Sequence, residues 1–140
     1  MHRIRDVARV TGLSTYMIDY LCRTQIVSPT HTGSRGRGRG KERLFSFSDL
    51  VLLRTYARLL ESGVSVKRLK KAHKTWSRQF KTLEDGAPPT RFLLTDGQNV
   101  LLRTPEDALI DLSSDGQFVF SFIVDLHQVR DEVIHLIKSA

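Results

Sequence analysis

Apolar positions in the first two dozen residues recur at helical spacing. In "RIRDVARVTGLSTYMIDYLCR", Ile4, Val7 and Ala8 share one face of a first short helix, which Thr11-Gly12 breaks. Ser14 suits the N-cap of a second helix, because its hydroxyl can accept an unpaired amide of the first turn. There Met17 or Ile18, Leu21 and Cys22 face inward. Thr15, Tyr16, Asp19, Tyr20 and Arg23 remain outside or at the edges. Two short helices about a turn with glycine, the second with a polar start, have the pattern of a helix-turn-helix.

The spacing then changes. "QIVSPTHT" predicts a short strand and "ERLF" the strand returning from it, so the residues between form the loop of a hairpin. "FSFSDLVLLRTYARLLESG" returns to helical spacing, with Leu50, Leu53, Ala57 and Leu60 as its stripe. Ser46 and Asp49 stand at capping-box separation, and Gly63 ends the helix. With Ser65 as cap, "VSVKRLKKAHKTWSRQFKTL" predicts a fourth helix. Val66, Leu69, Ala72 or His73, Trp76, Phe80 and Leu83 form its apolar face. Lys67, Lys70, Lys71, Lys74, Arg78 and Lys81 form the opposite one, which reads first as a solvated side and second as a DNA-backbone contact.

"EDGAPPT" stops that helix and changes the composition, which divides the chain into residues 1–84, a linker at 85–90 and a second domain at 91–140. Beyond it, "RFLLTDGQNVLLR" predicts a hairpin turning at Asp96-Gly97. "DALIDLSSDGQFVFSFIVDL" predicts two more strands about Asp115-Gly116, and Phe118 to Val124 is apolar on nearly both faces, as in a central strand. The final helix, Leu126 to Lys138, sets Leu126, Val129, Val133, Leu136 and Ile137 against Arg130, Asp131 and Glu132 on the other side. The expected fold class is α+β: an N-terminal helix-turn-helix with a two-stranded wing, then a small α+β unit.

Charge sharpens this picture. The 140 residues carry a net charge of +7, distributed unevenly. Residues 1–85 hold 18 Lys and Arg against 7 Asp and Glu, whereas residues 86–140 hold 4 against 8. A basic front half beside an acidic rear half fits a polyanion-binding module joined to another unit. The single cysteine, Cys22, excludes an internal disulfide framework and reads as a small buried hydrophobe. No signal-peptide core and no apolar run of about 18 residues occurs, so the chain is expected to be soluble and cytoplasmic, with no membrane partner.

The segment "HTGSRGRGRGKERLF", His31 to Phe45, matches neither of two phosphate-binding motifs. A P-loop needs a hydroxyl residue after Gly-Lys and a glycine five residues before the second one. Here Glu42 and Arg35 stand at those positions. Even spacing of Gly36, Gly38 and Gly40 also misses the dinucleotide pattern. No aromatic interrupts the repeat, and it lies between expected strands rather than in a tail, unlike a disordered RNA binder. A hairpin loop carrying Arg35, Arg37, Arg39, Lys41 and Arg43 suits contacts to phosphate that do not depend on sequence.

Residues 3–75 taken in order resemble the MerR-type winged helix-turn-helix family. "IRDVARVTGLS" matches its helix and turn, "YMIDYL" stands at its recognition helix, and "IVSP" matches the strand that follows. "RLFSFSDLVLL" matches the start of its third helix and "LLESGVSVKRLKK" the hinge into the fourth. The resemblance implies that Ser14, Thr15, Tyr16, Asp19, Tyr20 and Arg23 lie on the DNA-reading helix and that the glycine-arginine segment is the wing. Asp19 stands where the family commonly has an arginine facing phosphate, and Leu21 replaces a usual aromatic. The wing is longer than usual, Pro88-Pro89 cut short the family's long dimerisation helix, and the cysteines of its metal sensors are missing. The tail is loosely similar to the rear part of helix-turn-helix antitoxins that pair with nuclease toxins, beside the plainer reading as a dimerisation domain.

Catalysis finds no support. The five histidines are scattered without metal-ligand spacing, and Asp107 and Asp111 do not align as a carboxylate pair on a strand or turn. No catalytic residue, metal or cofactor is expected. The reading is a homodimeric, sequence-specific transcriptional regulator that binds double-stranded DNA and regulates its own gene, with a protein partner for residues 91–140 as a further expectation. Two other readings stand beside it: an antitoxin-like repressor, and an RNA binder using the glycine-arginine loop.

Overall fold

The computed structural model describes residues 2–27, 31–32, 43–71, 73, 92–95, 100–103 and 122–139. Strand β1 (His2–Arg3) leads directly into helix α1 (Ile4–Thr11). Gly12 has φ 81°, which lets its amide close on the Ala8 carbonyl at 3.0 Å. Val7, Val10 and Thr11 are buried. The Thr11 hydroxyl donates to the Val7 carbonyl at 2.7 Å, so its burial leaves no unpaired donor.

Helix α2 (Thr15–Arg23) starts as the sequence predicts, with Ser14 Oγ accepting the Met17 amide at 3.0 Å. Its end differs from the expectation. Gln25 has φ 61°, and the amides of Gln25 and Ile26 donate to the Cys22 and Leu21 carbonyls at 3.2 and 3.0 Å. This is a Schellman closure with glutamine in the position usually held by glycine. Ile26 and Val27, read from the sequence as strand, are therefore buried residues of that turn.

Pairing begins later, at β2 (His31–Thr32), with His31 opposite Leu44 and Thr32 opposite Arg43 of β3 (Arg43–Phe45). The wing hairpin thus forms. β1, which no sequence pattern announced, pairs along the other edge of β3 to give the order β1-β3-β2. Two residues offer no alternation to read, so only the partner strand defines β1. Arg35, Arg37, Arg39 and Lys41 lie outside the described residues.

Helix α3 (Phe47–Glu61) opens on a capping box. Ser46 Oγ accepts the Asp49 amide at 3.2 Å, and Asp49 Oδ2 accepts the Ser46 amide at 2.9 Å. It closes through Gly63 in a second Schellman motif, the Gly63 and Val64 amides donating to Leu60 and Leu59. The expected stripe of Leu50, Leu53 and Ala57 is buried, with Leu60 half-buried, and Val51, Leu52, Thr55, Tyr56 and Leu59 are buried as well. One stripe would suffice for a surface helix; α3 needs more because two other helices pack on it. Helix α4 is helical over residues 66–71 and buries Leu69, and the Tyr56 hydroxyl lies 2.5 Å from His73 Nδ1. Trp76, Phe80, Leu83 and the expected linker lie outside the described residues.

In the tail, β4 (Phe92–Thr95) and β5 (Val100–Arg103) form the hairpin expected about Asp96-Gly97, with Thr95 opposite Val100. β6 (Phe122–Asp125) pairs antiparallel with the other edge of β4, so β4 is central among the described strands. The strand expected before Asp115-Gly116 lies outside the described residues. Asp125 ends β6 and also caps helix α5 (Leu126–Lys138), its Oδ1 accepting the His127 amide at 3.0 Å.

Helix α5 buries Leu126, Val129 and Val133 in one core with α1 and α3. Each such burial stabilises by about 1.5–3 kcal/mol relative to exposure. Glu132, expected on the opposite side, instead faces α3. It accepts hydrogen bonds from Arg54 Nε at 2.8 Å and from Arg58. Arg54 also donates to the Val10 carbonyl at 2.8 Å, and Arg9 to the Leu136 carbonyl at 2.7 Å. The fold is α+β, with a winged helix-turn-helix at the front and a helix from the tail packed on it. Among the described residues no helix is long and apolar enough to cross a membrane.

Candidate nucleic-acid interface

The outward side of α2 carries the residues singled out from the sequence. Ser14 and Thr15 are exposed, and the Ser14 hydroxyl is occupied as the helix cap. Tyr16 is 72% exposed, the only large hydrophobic side chain so placed among the described residues. An aromatic ring standing in water on the first turn of a helix has a face for stacking and a hydroxyl for hydrogen bonding. Tyr20 differs, being half-buried and packed against the core. Arg23 is exposed on the last turn.

Asp19 joins the helix to the wing. Its Oδ2 accepts from Arg23 Nε at 2.6 Å, one turn along α2, and its Oδ1 accepts from Arg43 Nη1 at 2.5 Å, on β3. The hydrogen bond from Arg43, followed by that from Arg23, holds the Asp19 carboxyl below the ordinary aspartate range. It is therefore ionised at neutral pH, between two guanidinium groups. The spacing of Arg23 four residues after Asp19 was legible in the sequence, whereas the bond to Arg43 required the wing to fold back. Behind this face, Cys22 is half-buried, and burial pushes its thiol up, away from reactive thiolate.

A second basic surface lies at the start of α4. Ser65, Lys67, Arg68, Lys70 and Lys71 line a cleft of about 490 Å³. Ser65 Oγ accepts the Arg68 amide at 3.3 Å, as expected of a cap. Helical spacing puts Lys67, Lys70 and Lys71 on one face, and Arg68 falls between that face and the apolar one.

Helix, turn, exposed second helix, hairpin and capped third helix follow in the order of the MerR HTH family of regulatory proteins, whose profile matches residues 2–75, just over half of the 140. The chain belongs to the MerR helix-turn-helix family. This MerR-family chain is also 32% identical, over 123 residues and 88% of its length, to uncharacterized HTH-type transcriptional regulators of Mycobacterium tuberculosis and Mycobacterium bovis. It spans about half of the length of those relatives, 52%. The family match ends just beyond the described part of α4, so strands β4 to β6 and α5 lie outside the matched residues.

Proposed function

We propose that this MerR-family protein is a sequence-specific transcriptional regulator that places α2 in the major groove of double-stranded DNA. The observation that carries this reading is the outward face of α2. Exposed Thr15, Tyr16 and Arg23 lie on the helix that Asp19 ties to the wing strand. A helix that presents polar and aromatic groups outward while its inner face is locked in a core is suited to base-edge contacts. The wing, through Arg35, Arg37, Arg39, Lys41 and Arg43, supplies contacts to backbone or minor groove. Its charge gives affinity; α2 gives preference.

The protein acts as a homodimer on a two-fold operator upstream of its own gene, with residues 91–140 serving self-association. Fluorescence anisotropy tests this reading with three probes of equal length: duplex from the gene's upstream region, scrambled duplex and single-stranded RNA. Tighter binding to the upstream duplex that persists at raised salt is the expected result. Equal, salt-sensitive binding to all three would leave only a polyanion tether and reject sequence-specific regulation.

A further inference from the structure

A carboxylate on a surface that approaches phosphate repels it, so Asp19 on the outward side of α2 calls for an explanation. Both of its oxygens are taken, one by Arg23 of the same helix and one by Arg43 of the wing strand. Among the three side chains the net charge is +1, which lowers the repulsion but also removes one of two cations. Each guanidinium has five N–H donors in a planar fork. The bond to Asp19 uses one of them and fixes the plane of the rest.

We infer that Asp19 is a positioning residue that determines specificity: its carboxylate aims the Arg23 and Arg43 forks as one unit, so that helix and wing meet DNA in a single register. This inference rests on the DNA-binding reading above. The partial exposure of the group supports it, with side chains 37%, 53% and 28% exposed for Asp19, Arg23 and Arg43. An ion pair at the surface contributes little to folding, so stability gives a weak reason to hold three charges there. Orientation gives a better one. A freely rotating arginine gains affinity for any phosphate; an aimed one discriminates.

Simple electrostatics and positioning predict opposite signs for Asp19→Asn. Removing a negative charge beside a polyanion should tighten binding to every duplex. Loss of positioning should weaken binding to the preferred duplex while binding to others rises. The test uses the intact protein, the tightest duplex that wild type selects from a random pool, and a scrambled duplex, at two salt concentrations. The expected result is a fall of about tenfold or more in the ratio of preferred to scrambled affinity. Circular dichroism should show an unchanged fold, since a partly exposed ion pair contributes little to folding.

Arg43→Lys is the second variant. It keeps the charge, removes the fork, and is expected to lower the same ratio with little change on scrambled duplex. An equal rise on both duplexes for Asp19→Asn, or an unchanged ratio in either variant, would overturn the inference. A wild-type protein that selects no duplex would instead remove the DNA-reading proposal itself, so the two failures are distinguishable.

Discussion

Glu132 on α5 accepts a hydrogen bond from Arg54 on α3, 78 residues earlier in the chain. The same carboxylate accepts from Arg58 one turn further along α3, and Arg54 reaches on to the Val10 carbonyl of α1. One acidic residue of the tail therefore ties α5 to α3 and, through Arg54, to the first helix of the helix-turn-helix. Because β6 runs into α5 through Asp125, the strand and the clamp are connected without an intervening linker.

This clamp has a pH signature. Burial raises the Glu132 pKa, but the hydrogen bonds from Arg54 and Arg58 outweigh it and set the carboxyl below its ordinary value of 4.5. A group with a depressed folded pKa stabilises fully above its unfolded pKa and loses that contribution as pH falls through the folded value. Glu132→Gln should cost about 1–2 kcal/mol near neutral pH, a partly exposed pair being worth less than a buried one. The difference between wild type and variant should begin to shrink below about pH 4.5, where the unfolded chain takes up its proton first, and should vanish once the folded carboxyl is protonated as well. Urea unfolding at pH 7, 5 and 3.5 measures this, and a difference independent of pH would place the cost in packing.

Gln25 and Gly63 occupy equivalent positions in two Schellman closures, at φ 61° and 100°. A left-handed L-residue costs roughly 1–2 kcal/mol, and glycine loses about 0.5–1 kcal/mol of that advantage through unfolded-chain entropy. Gln25→Gly should therefore stabilise the protein by about 0.5 kcal/mol. Gln25→Val should destabilise it by more, since a branched Cβ resists that backbone. Thermal melts of the two variants decide the order.

Arg37 and Arg39, unlike Arg43, are expected to act through charge alone. Arg37→Ala combined with Arg39→Ala should weaken binding to preferred and scrambled duplex alike. It should also lower the slope of log K against log salt by up to about two units. An unchanged slope would take the wing out of the interface.

Tyr16 should behave in the other way. Tyr16→Ala removes an exposed ring without disturbing the core, so the melting temperature should stay within error of wild type. Selection from a random duplex pool should return a different preferred sequence. A uniform loss of affinity with the same preference would mean that the ring contacts backbone.

Local rules decided much of this molecule. Ser14, Ser46, Ser65 and Gly63 marked helix ends that the fold keeps, because a cap bonds groups three or four residues apart and needs no distant partner. The same holds for the hairpin of β4 and β5, and for the boundaries of α5, whose apolar spacing outlined it from end to end. The outward face of α2 was legible for the same reason: its inward residues could be counted. The sequence did not reveal that Ile26 and Val27 would lie in a turn, since an apolar pair before a proline looks like strand until Gln25 is seen in the left-handed region.

Contacts far apart in sequence were a different matter. Periodicity assigned Glu132 to the solvated side of α5, and tertiary packing turned it to two arginines on α3. Asp19 and Arg43 were both recognisable as members of a charged surface, but 24 residues of chain separate them. Only the return of the wing along β3 sets their charges in hydrogen-bond contact. Spacing along a chain fixes what a segment can bury and how it begins and ends; which charges then meet depends on how the segments dock, and docking is decided by the shared core.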